Sequence, residues 1–308
     1  MTTQTTQPNK TAVWIQAMRP RTLPLALAAI IMGAFLAAAD GVFNGWVAGL
    51  AGLTAVFLQI LSNLANDYGD SVHGADHVQR QGPQRAVQSG AIPAATMRRA
   101  MALFVLLAVA SGVALLWLAF GVDRLPYVLL FMLLGAGAIG AAIAYTNGKR
   151  PYGYAGLGDL FVLIFFGWVG VLGTYFLQAL AFRWLLLLPA TSCGLLAVGV
   201  LNVNNIRDIE SDRQAGKRSI PVRVGPQKAR LYHWLLLAGA VGTAVLYVLF
   251  DYRSLWQFLF VLALPLLARH GTAVAHTHSP LKLNPLLKQL SLITLFFIIT
   301  FGIGQIIG

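Results

Sequence analysis

Charge is scarce in this chain. Of 308 residues only 10 are Asp or Glu and 22 are Lys or Arg, 10% of the sequence, where soluble domains carry about a quarter. With 57% hydrophobic residues and a mean hydropathy of +0.71, a water-soluble globular domain is excluded and an integral membrane protein is expected. The single cysteine, Cys193, lies in an apolar run, which excludes an internal disulfide and a cysteine metal cluster. His73, His77, His270, His276 and His278 stand in or beside polar loops without acidic partners at metal-binding spacing, so they read as solvated. The first eleven residues, MTTQTTQPNKT, have no apolar core and are not a cleavable signal. Residues 1–11 are expected to be a disordered polar tail and 12–308 a single transmembrane domain.

What the chain does have is long apolar runs. Nine can be marked, at 22–39, 46–66, 100–120, 126–146, 157–180, 184–205, 231–250, 255–268 and 286–306. Most reach the ~20 residues that a helix needs to cross the hydrocarbon core. The eighth is short and carries Pro265. Connections alternate between 6, 5, 3 and 4 residues on one side and 33, 10, 25 and 17 on the other. The long-loop side holds 19 of the 22 Lys and Arg, leaving Arg124, Arg183 and Arg253 opposite. By the positive-inside rule the N-terminus and long loops are cytoplasmic and the C-terminus outside. The net charge of +12 is thereby read as topology, and no nucleic-acid partner is expected.

The polar chemistry gathers in two places. At the end of the second run, LSNLANDYGD spaces Asn63, Asp67 and Asp70 at i, i+4, i+7, with Asn66 beside them and Asp76 further on. At the end of the sixth, NVNNIRDIESD spaces Asn204, Asp208 and Asp212 at i, i+4, i+8. If each helix continues through its ladder, the oxygen-bearing side chains share one face. Each ladder closes the second helix of a four-span group, which suggests two parallel repeats followed by one extra helix. Basic residues follow both: Arg80 and Arg85 after the first, Lys217, Arg218 and Arg223 after the second. The loop between the fourth and fifth runs, YTNGKRPYGYAGLGD, adds Lys149 and Arg150 for a phosphate and Tyr145, Tyr152 and Tyr154 as π faces for a cation. Asp159, just inside the fifth run, needs a partner or a task. Arg19 and Arg21 precede the first run, where anchoring to the membrane surface outweighs substrate contact. Gly135, Gly137 and Gly140, and Gly167, Gly170 and Gly173, are spaced for close helix packing.

Facing carboxylate ladders would repel one another, by about 4 kcal/mol per like pair at ~4 Å and an effective dielectric of 20. Divalent cations remove that cost, and Mg²⁺ prefers one or two carboxylates with the rest of its shell from water and phosphate. Two ladders therefore suggest two Mg²⁺ ions clasping one diphosphate, with Asp67, Asp70, Asp208 and Asp212 as the metal-holding acids. A diphosphate head in water and a long apolar tail in lipid describe a polyprenyl diphosphate. Loss of pyrophosphate leaves an allylic cation that rings can stabilise and a dry cavity can protect.

These segments resemble the UbiA superfamily of intramembrane aromatic prenyltransferases, in the paired motifs NLANDYGD and NVNNIRDIESD, the Tyr145–Asp159 loop and the nine spans. RPRTLPLA, GPQRAVQSG, NGKRPYGYAGLGD and DRQAGKRSIPVRVG look like the branch that acts on 1,4-dihydroxy-2-naphthoate in menaquinone synthesis. The resemblance implies an all-α fold of nine transmembrane helices around a central cavity open to lipid, in the cytoplasmic (inner) membrane of a bacterium. It implies that Asn63, Asp67, Asp70, Asn204, Asp208 and Asp212 hold Mg²⁺ and the prenyl diphosphate. Lys149, Arg150 and Arg218 fall to the diphosphate, and Tyr145 to the carbocation. Many relatives space the first motif's acids by four, whereas Ser71 stands at that place here, so Asp70 and Asp76 compete for the second ligand role. The implied reaction prenylates the dihydroxynaphthoate with loss of CO₂ and diphosphate, giving demethylmenaquinone. Prenylation of 4-hydroxybenzoate shares the whole metal argument and stays open. A divalent-cation transporter or a quinone-binding scaffold is the reading from another class. Transporters put ionisable groups near the midplane, and runs one to four and six to eight carry no Asp, Glu, Lys or Arg.

Overall fold

The computed structural model describes residues 9–72 and 85–308. Among these, nine helices are long and apolar enough to span a bilayer: α1 Lys10–Ala39, α2 Gly45–Val72, α3 Ala94–Phe120, α4 Leu125–Ala144, α5 Gly158–Ala179, α6 Trp184–Arg207, α7 Pro226–Phe250, α8 Leu255–His276 and α9 Pro280–Ile307. The described residues contain no strand, and large apolar side chains such as Trp117 and Leu133 are more than two-thirds exposed, as lipid-facing residues are. This is an all-α, multi-pass membrane protein. Helix formation begins at Lys10, inside the stretch expected to be tail.

Four of these spans depart from regular α geometry: α1 carries a 3₁₀ turn at Pro20–Thr22 after the left-handed Arg19, α6 opens with a 3₁₀ turn at Trp184–Leu186, and longer departures occur in α8 and α5. α8 is not the short 255–268 segment that its apolar run suggests, because it continues to His276. Its first nine residues, Leu255–Ala263, are 3₁₀-helical, and Pro265 enters at the first turn of the α-helical remainder, where its missing N–H costs nothing. At roughly 2.0 Å per 3₁₀ residue and 1.5 Å per α residue the segment reaches ~37 Å, enough to cross the core. In α5, Leu163–Leu172 forms a π-helical stretch between two α-helical ends.

α2 packs extensively on α3 and α6 on α7, equivalent pairs in the two four-helix groups. The ninth helix packs against α1, α6 and α8 and closes the bundle. Glycines set tight crossings at some positions and not at others. A Cβ on Gly167 would stand 2.7 Å from the Ala190 carbonyl oxygen, whereas Gly135, Gly137 and Gly140 face open space. The packing role expected of those three in α4 is therefore absent, and Gly135 instead lines a cavity.

That cavity, about 1510 Å³, is bounded by α1 to α6 and the start of α9, while α7 packs on α6 and α8 on α9, away from its lining. Its wall is apolar along the helices, with Leu25, Ala29, Leu58, Phe165 and Val169 among its residues. One end, where the two ladders stand, carries nearly all the charge.

Candidate active site

The first ladder ends α2 as an unbroken helix and turns into the cavity. Asp67 is almost fully buried, and its two carboxylate oxygens each accept a backbone N–H, from Ala86 and Val87, at 3.1 Å. It thereby fastens the chain leading into α3 across the cavity mouth. Asp70 is paired with Arg85 at 2.5 Å and with the Lys217 Nζ at 3.0 Å, and accepts the Tyr154 hydroxyl at 3.2 Å. Asp76 and Arg80, the other candidates of this loop, lie outside the described residues, as do His73 and His77.

Asn63 serves the turn before the membrane. Its amide donates to the Met18 carbonyl and the Thr22 hydroxyl, both at 2.9 Å. The turn includes Arg19 at φ 51°, a left-handed conformation that costs a non-glycine residue on the order of 1–3 kcal/mol. Those bonds hold it, and Arg19 and Arg21 line the cavity. Membrane-surface anchoring is therefore not their sole position in the fold. Asn66 accepts from the Thr146 hydroxyl, and its carbonyl takes an Arg85 N–H at 2.6 Å.

The second ladder is not one continuous helix. α6 stops at Arg207, Asp208 adopts φ −98°, ψ 10°, and a short helix resumes over Ile209–Gln214. Adjacent residues on a regular helix do not face one another, but at this break Arg207 turns back on its neighbour. Its Nε and Nη2 donate to the two Asp208 oxygens at 2.7 and 2.5 Å. It also reaches Asn204 and, on α9, Asn284, each at 2.8 Å. The i, i+4 register survives, since Asp212 N–H still donates to the Asp208 carbonyl at 2.8 Å.

Asp212 and Asp70 share one cation: Lys217 Nζ lies 3.5 Å from the former and 3.0 Å from the latter. Burial raises the Asp212 pKa, Lys217 opposes, and Asp208 and Asp70 add to the rise, to about 6. Burial alone would lower the Lys217 pKa, but Asp70 and Asp212 outweigh it and hold the ammonium above its usual range. The Tyr154 ring covers this ammonium 5.0 Å from its centroid.

The Tyr145–Leu157 loop docks onto both ladders. Thr146 and Asn147 donate to the Ala65 carbonyl, and the Arg218 backbone N–H donates to the Tyr154 carbonyl. This close approach needs glycine at position 69, where a Cβ would stand 2.5 Å from the Thr146 hydroxyl. Tyr145 lines the cavity, with Tyr152 at 5.4 Å, Phe161 stacked on Tyr152 at 4.0 Å and Phe165 beyond at 6.2 Å. Burial, then the charges of Asp212, Asp70 and Asp159, push the Tyr145 pKa well up, so its hydroxyl stays protonated.

Tyr145, Arg85, Lys217 and all four aspartates of the ladders line the cavity together with Asn63, Asn66 and Asn204. Lys149, Arg150, Arg218 and Arg223 do not: they are exposed on the loops. Asp159 turns away from the cavity and accepts the Tyr232 hydroxyl of α7 at 3.0 Å. Arg207, Lys288 and the Phe161–Phe165 pair are lining residues that the sequence reading passed over. Only Arg207 carried a signal, as the lone basic residue between Asn204 and Asp208 in the ladder. His270 is not solvated. It is fully buried, 3.2 Å from Gln289 and beside His233, because α8 runs on past the apolar segment and packs this face inward.

An all-oxygen acidic set at a cavity mouth fits a hard cation such as Mg²⁺. Among the described residues, no three Asp, Glu, His or Cys side chains stand together as a ready-made metal site. The carboxylates are satisfied instead by Arg85, Arg207 and Lys217.

The family model described as "UbiA prenyltransferase family" matches residues 26–293. The chain is 49% identical to a 1,4-dihydroxy-2-naphthoate octaprenyltransferase of Escherichia coli (strain K12), covering 92% of this chain and 91% of that protein. It is 46% identical to the protein of the same name from Haemophilus influenzae, covering 97% of each. Among solved structures it resembles an apo UbiA homolog from Aeropyrum pernix K1, with a TM-score of 0.67 at 19% identity over 94% of this chain and 98% of that one. A UbiA homolog from Archaeoglobus fulgidus bound to DMAPP and Mg²⁺ superposes with a TM-score of 0.62 at 17% identity, over 95% and 98% of the two chains. At such identities the likeness concerns the fold.

Proposed function

This chain belongs to the UbiA prenyltransferase family, and from that premise we propose that it transfers a polyprenyl group from a polyprenyl diphosphate to 1,4-dihydroxy-2-naphthoate. CO₂ and diphosphate leave, and the product is demethylmenaquinone in its reduced, quinol form. The observation that carries the reading is one cavity of about 1510 Å³ that joins two carboxylate ladders at one end to an apolar channel among α1 to α6. The relatives named for this acceptor at 46–49% identity favour it over 4-hydroxybenzoate.

Asp67, Asp70, Asp208 and Asp212 would hold Mg²⁺, two ions by the number of ladders, and the metal when bound would neutralise the departing diphosphate. Lys217 and Arg85, already among these carboxylates, are placed to take diphosphate oxygens. The prenyl tail lies against the apolar wall. As the C–O bond of the donor breaks, Tyr145 and Tyr152 present their faces to the allylic cation, and Phe161 and Phe165 extend this lining. The ring carbon bearing the carboxylate attacks that cation. Loss of CO₂ returns the electron pair of the breaking C–C bond to the ring, so aromaticity is restored without a protein base. Arg19, Arg21 and Lys288 add positive charge to a cavity that must admit two anionic substrates.

The excess of Lys and Arg on the long loops supports a cytoplasmic site and N-terminus in a bacterial cytoplasmic membrane. The test is incubation of membranes containing the protein with the dihydroxynaphthoate, a polyprenyl diphosphate and Mg²⁺, read by mass spectrometry. Metal-dependent formation of the prenylated naphthoquinol is expected. Its absence, or preference for 4-hydroxybenzoate in competition, overturns the assignment.

A further inference from the structure

We infer that Lys217 is a built-in counter-ion that keeps divalent metal out of the donor-free site, so that metal and diphosphate enter together. The inference rests on the metal-and-diphosphate reading above and concerns the order in which that site is filled.

Three observations carry it. First, the Lys217 ammonium bridges the two ladders, 3.0 Å from Asp70 and 3.5 Å from Asp212. Those carboxylates belong to different halves of the fold, one ending α2 and the other following α6. Second, the ammonium is enclosed rather than solvated. Its side chain is 14% exposed, and the Tyr154 ring caps it while the Tyr154 hydroxyl holds the same Asp70. Third, the segment carrying it is tethered at its neighbours, since the Lys217 N–H donates to the Asp212 carbonyl and the Arg218 N–H to the Tyr154 carbonyl. The side chain is the free part of this arrangement. Rotation about its four-carbon stem moves the charge without moving the backbone.

A divalent cation placed between Asp70 and Asp212 would stand within a few ångströms of the ammonium and would be repelled by it. A metal arriving alone must therefore displace Lys217 into a cavity with no anion to receive it. A metal arriving with a diphosphate brings the anion: Lys217 passes from carboxylate to phosphate oxygen as the metal takes the carboxylates. Metal and diphosphate then favour each other's binding, and reciprocally so. The chemical advantage is that the carboxylates are never left uncompensated, and the site assembles only around the molecule it acts on. Lys217 is a positioning residue in this scheme, acting through the carboxylates before it meets the donor.

The test uses purified full-length protein in nanodiscs, with Mn²⁺ as a paramagnetic probe and inorganic pyrophosphate as the soluble head of the donor. Mn²⁺ affinity is measured by electron paramagnetic resonance with and without pyrophosphate. In the wild type, pyrophosphate should tighten Mn²⁺ binding by about 5- to 150-fold, the usual range of coupling between two ligands. Lys217→Met should bind Mn²⁺ alone more tightly than the wild type and lose most of that coupling. Lys217→Arg, which keeps the charge, should behave as the wild type does. Equal or weaker Mn²⁺ affinity in Lys217→Met overturns the inference while leaving prenyl transfer by the wild type, the test of the underlying reading, intact. Absence of coupling in the wild type overturns it whether or not the variants fold. Failure of Mn²⁺ to bind even with pyrophosphate overturns both.

Discussion

Arg207 and Asp208 are neighbours in the chain and partners in space, held by two hydrogen bonds at 2.7 and 2.5 Å across the break that ends α6. The guanidinium is nearly inaccessible and also ties Asn204 to Asn284 of α9, so the second ladder is fixed to the last helix through one side chain.

Removing it should be costly. Arg207→Ala strips the buried Asp208 carboxylate of two charged hydrogen bonds, and breaking such a pair costs about 3–5 kcal/mol. The variant is expected to unfold at a clearly lower temperature in detergent and to lose most prenyl transfer. Arg207→Lys, which keeps the charge but not the fork, should fall between. A wild-type melting curve for Arg207→Ala would contradict this structural role.

Tyr145 is expected to act through its ring. Its hydroxyl stays protonated because burial and the neighbouring carboxylates push its pKa up. Tyr145→Phe should retain kcat within about threefold, whereas Tyr145→Leu should lose roughly 2- to 30-fold, the span of a cation–π contact of 0.5–2 kcal/mol. Single-turnover measurement of prenyl transfer separates this from donor binding.

The basic residues divide by position. Arg85 and Lys217 line the cavity, and loss of a hydrogen bond to a charged group, about 1.5–3 kcal/mol, should raise KM for the prenyl diphosphate by about tenfold or more in Arg85→Ala. Lys149, Arg150, Arg218 and Arg223 are exposed and off the lining, so single alanine variants there should change it less than about threefold. Steady-state kinetics with varied donor decides.

Asp67 joins binding to architecture, since it accepts the N–H groups of Ala86 and Val87 while facing the cavity. Asp67→Ala should lower thermal stability by about 1–3 kcal/mol for the unsatisfied donors and abolish transfer. Chelation of divalent metal should abolish transfer in the wild type without the stability loss, and added Mg²⁺ should restore it.

On the opposite face, burial raises the Asp40 carboxyl, but the Tyr175 hydroxyl and Arg183 outweigh it and hold it below 3.8. A lowered carboxylate pKa stabilises the fold above the unfolded value and loses that contribution as pH falls through the folded one. Arg183→Met should therefore reduce stability at neutral pH, by roughly 1 kcal/mol or less for a pair this exposed, and the difference from wild type should shrink towards pH 3. Melting temperatures across pH 3–7 test the sign.

Nine spans, their loops and both acidic ladders were legible because each depends on residues near in sequence: apolar length fixes a crossing, and helical spacing fixes a shared face. The reading faltered where local geometry broke the helix, at Asp208 and in the 3₁₀ opening of α8, since no periodicity encodes such a break. It also faltered over glycines, because a spacing that permits close packing does not require a partner, and Gly135, Gly137 and Gly140 have none within 4 Å.

Composition, apolar runs and motif spacing thus determined that this chain is a nine-span helical protein with acidic chemistry at one membrane face. Which cations meet those acids was decided only by the tertiary structure. Lys217 lies one residue from Arg218 and 147 from Asp70, yet it is Lys217 that bridges Asp70 to Asp212 while Arg218 faces out. Net charge is a property of a segment, but a charge acts over a few ångströms, and that distance is set by where the helices cross and the loops dock.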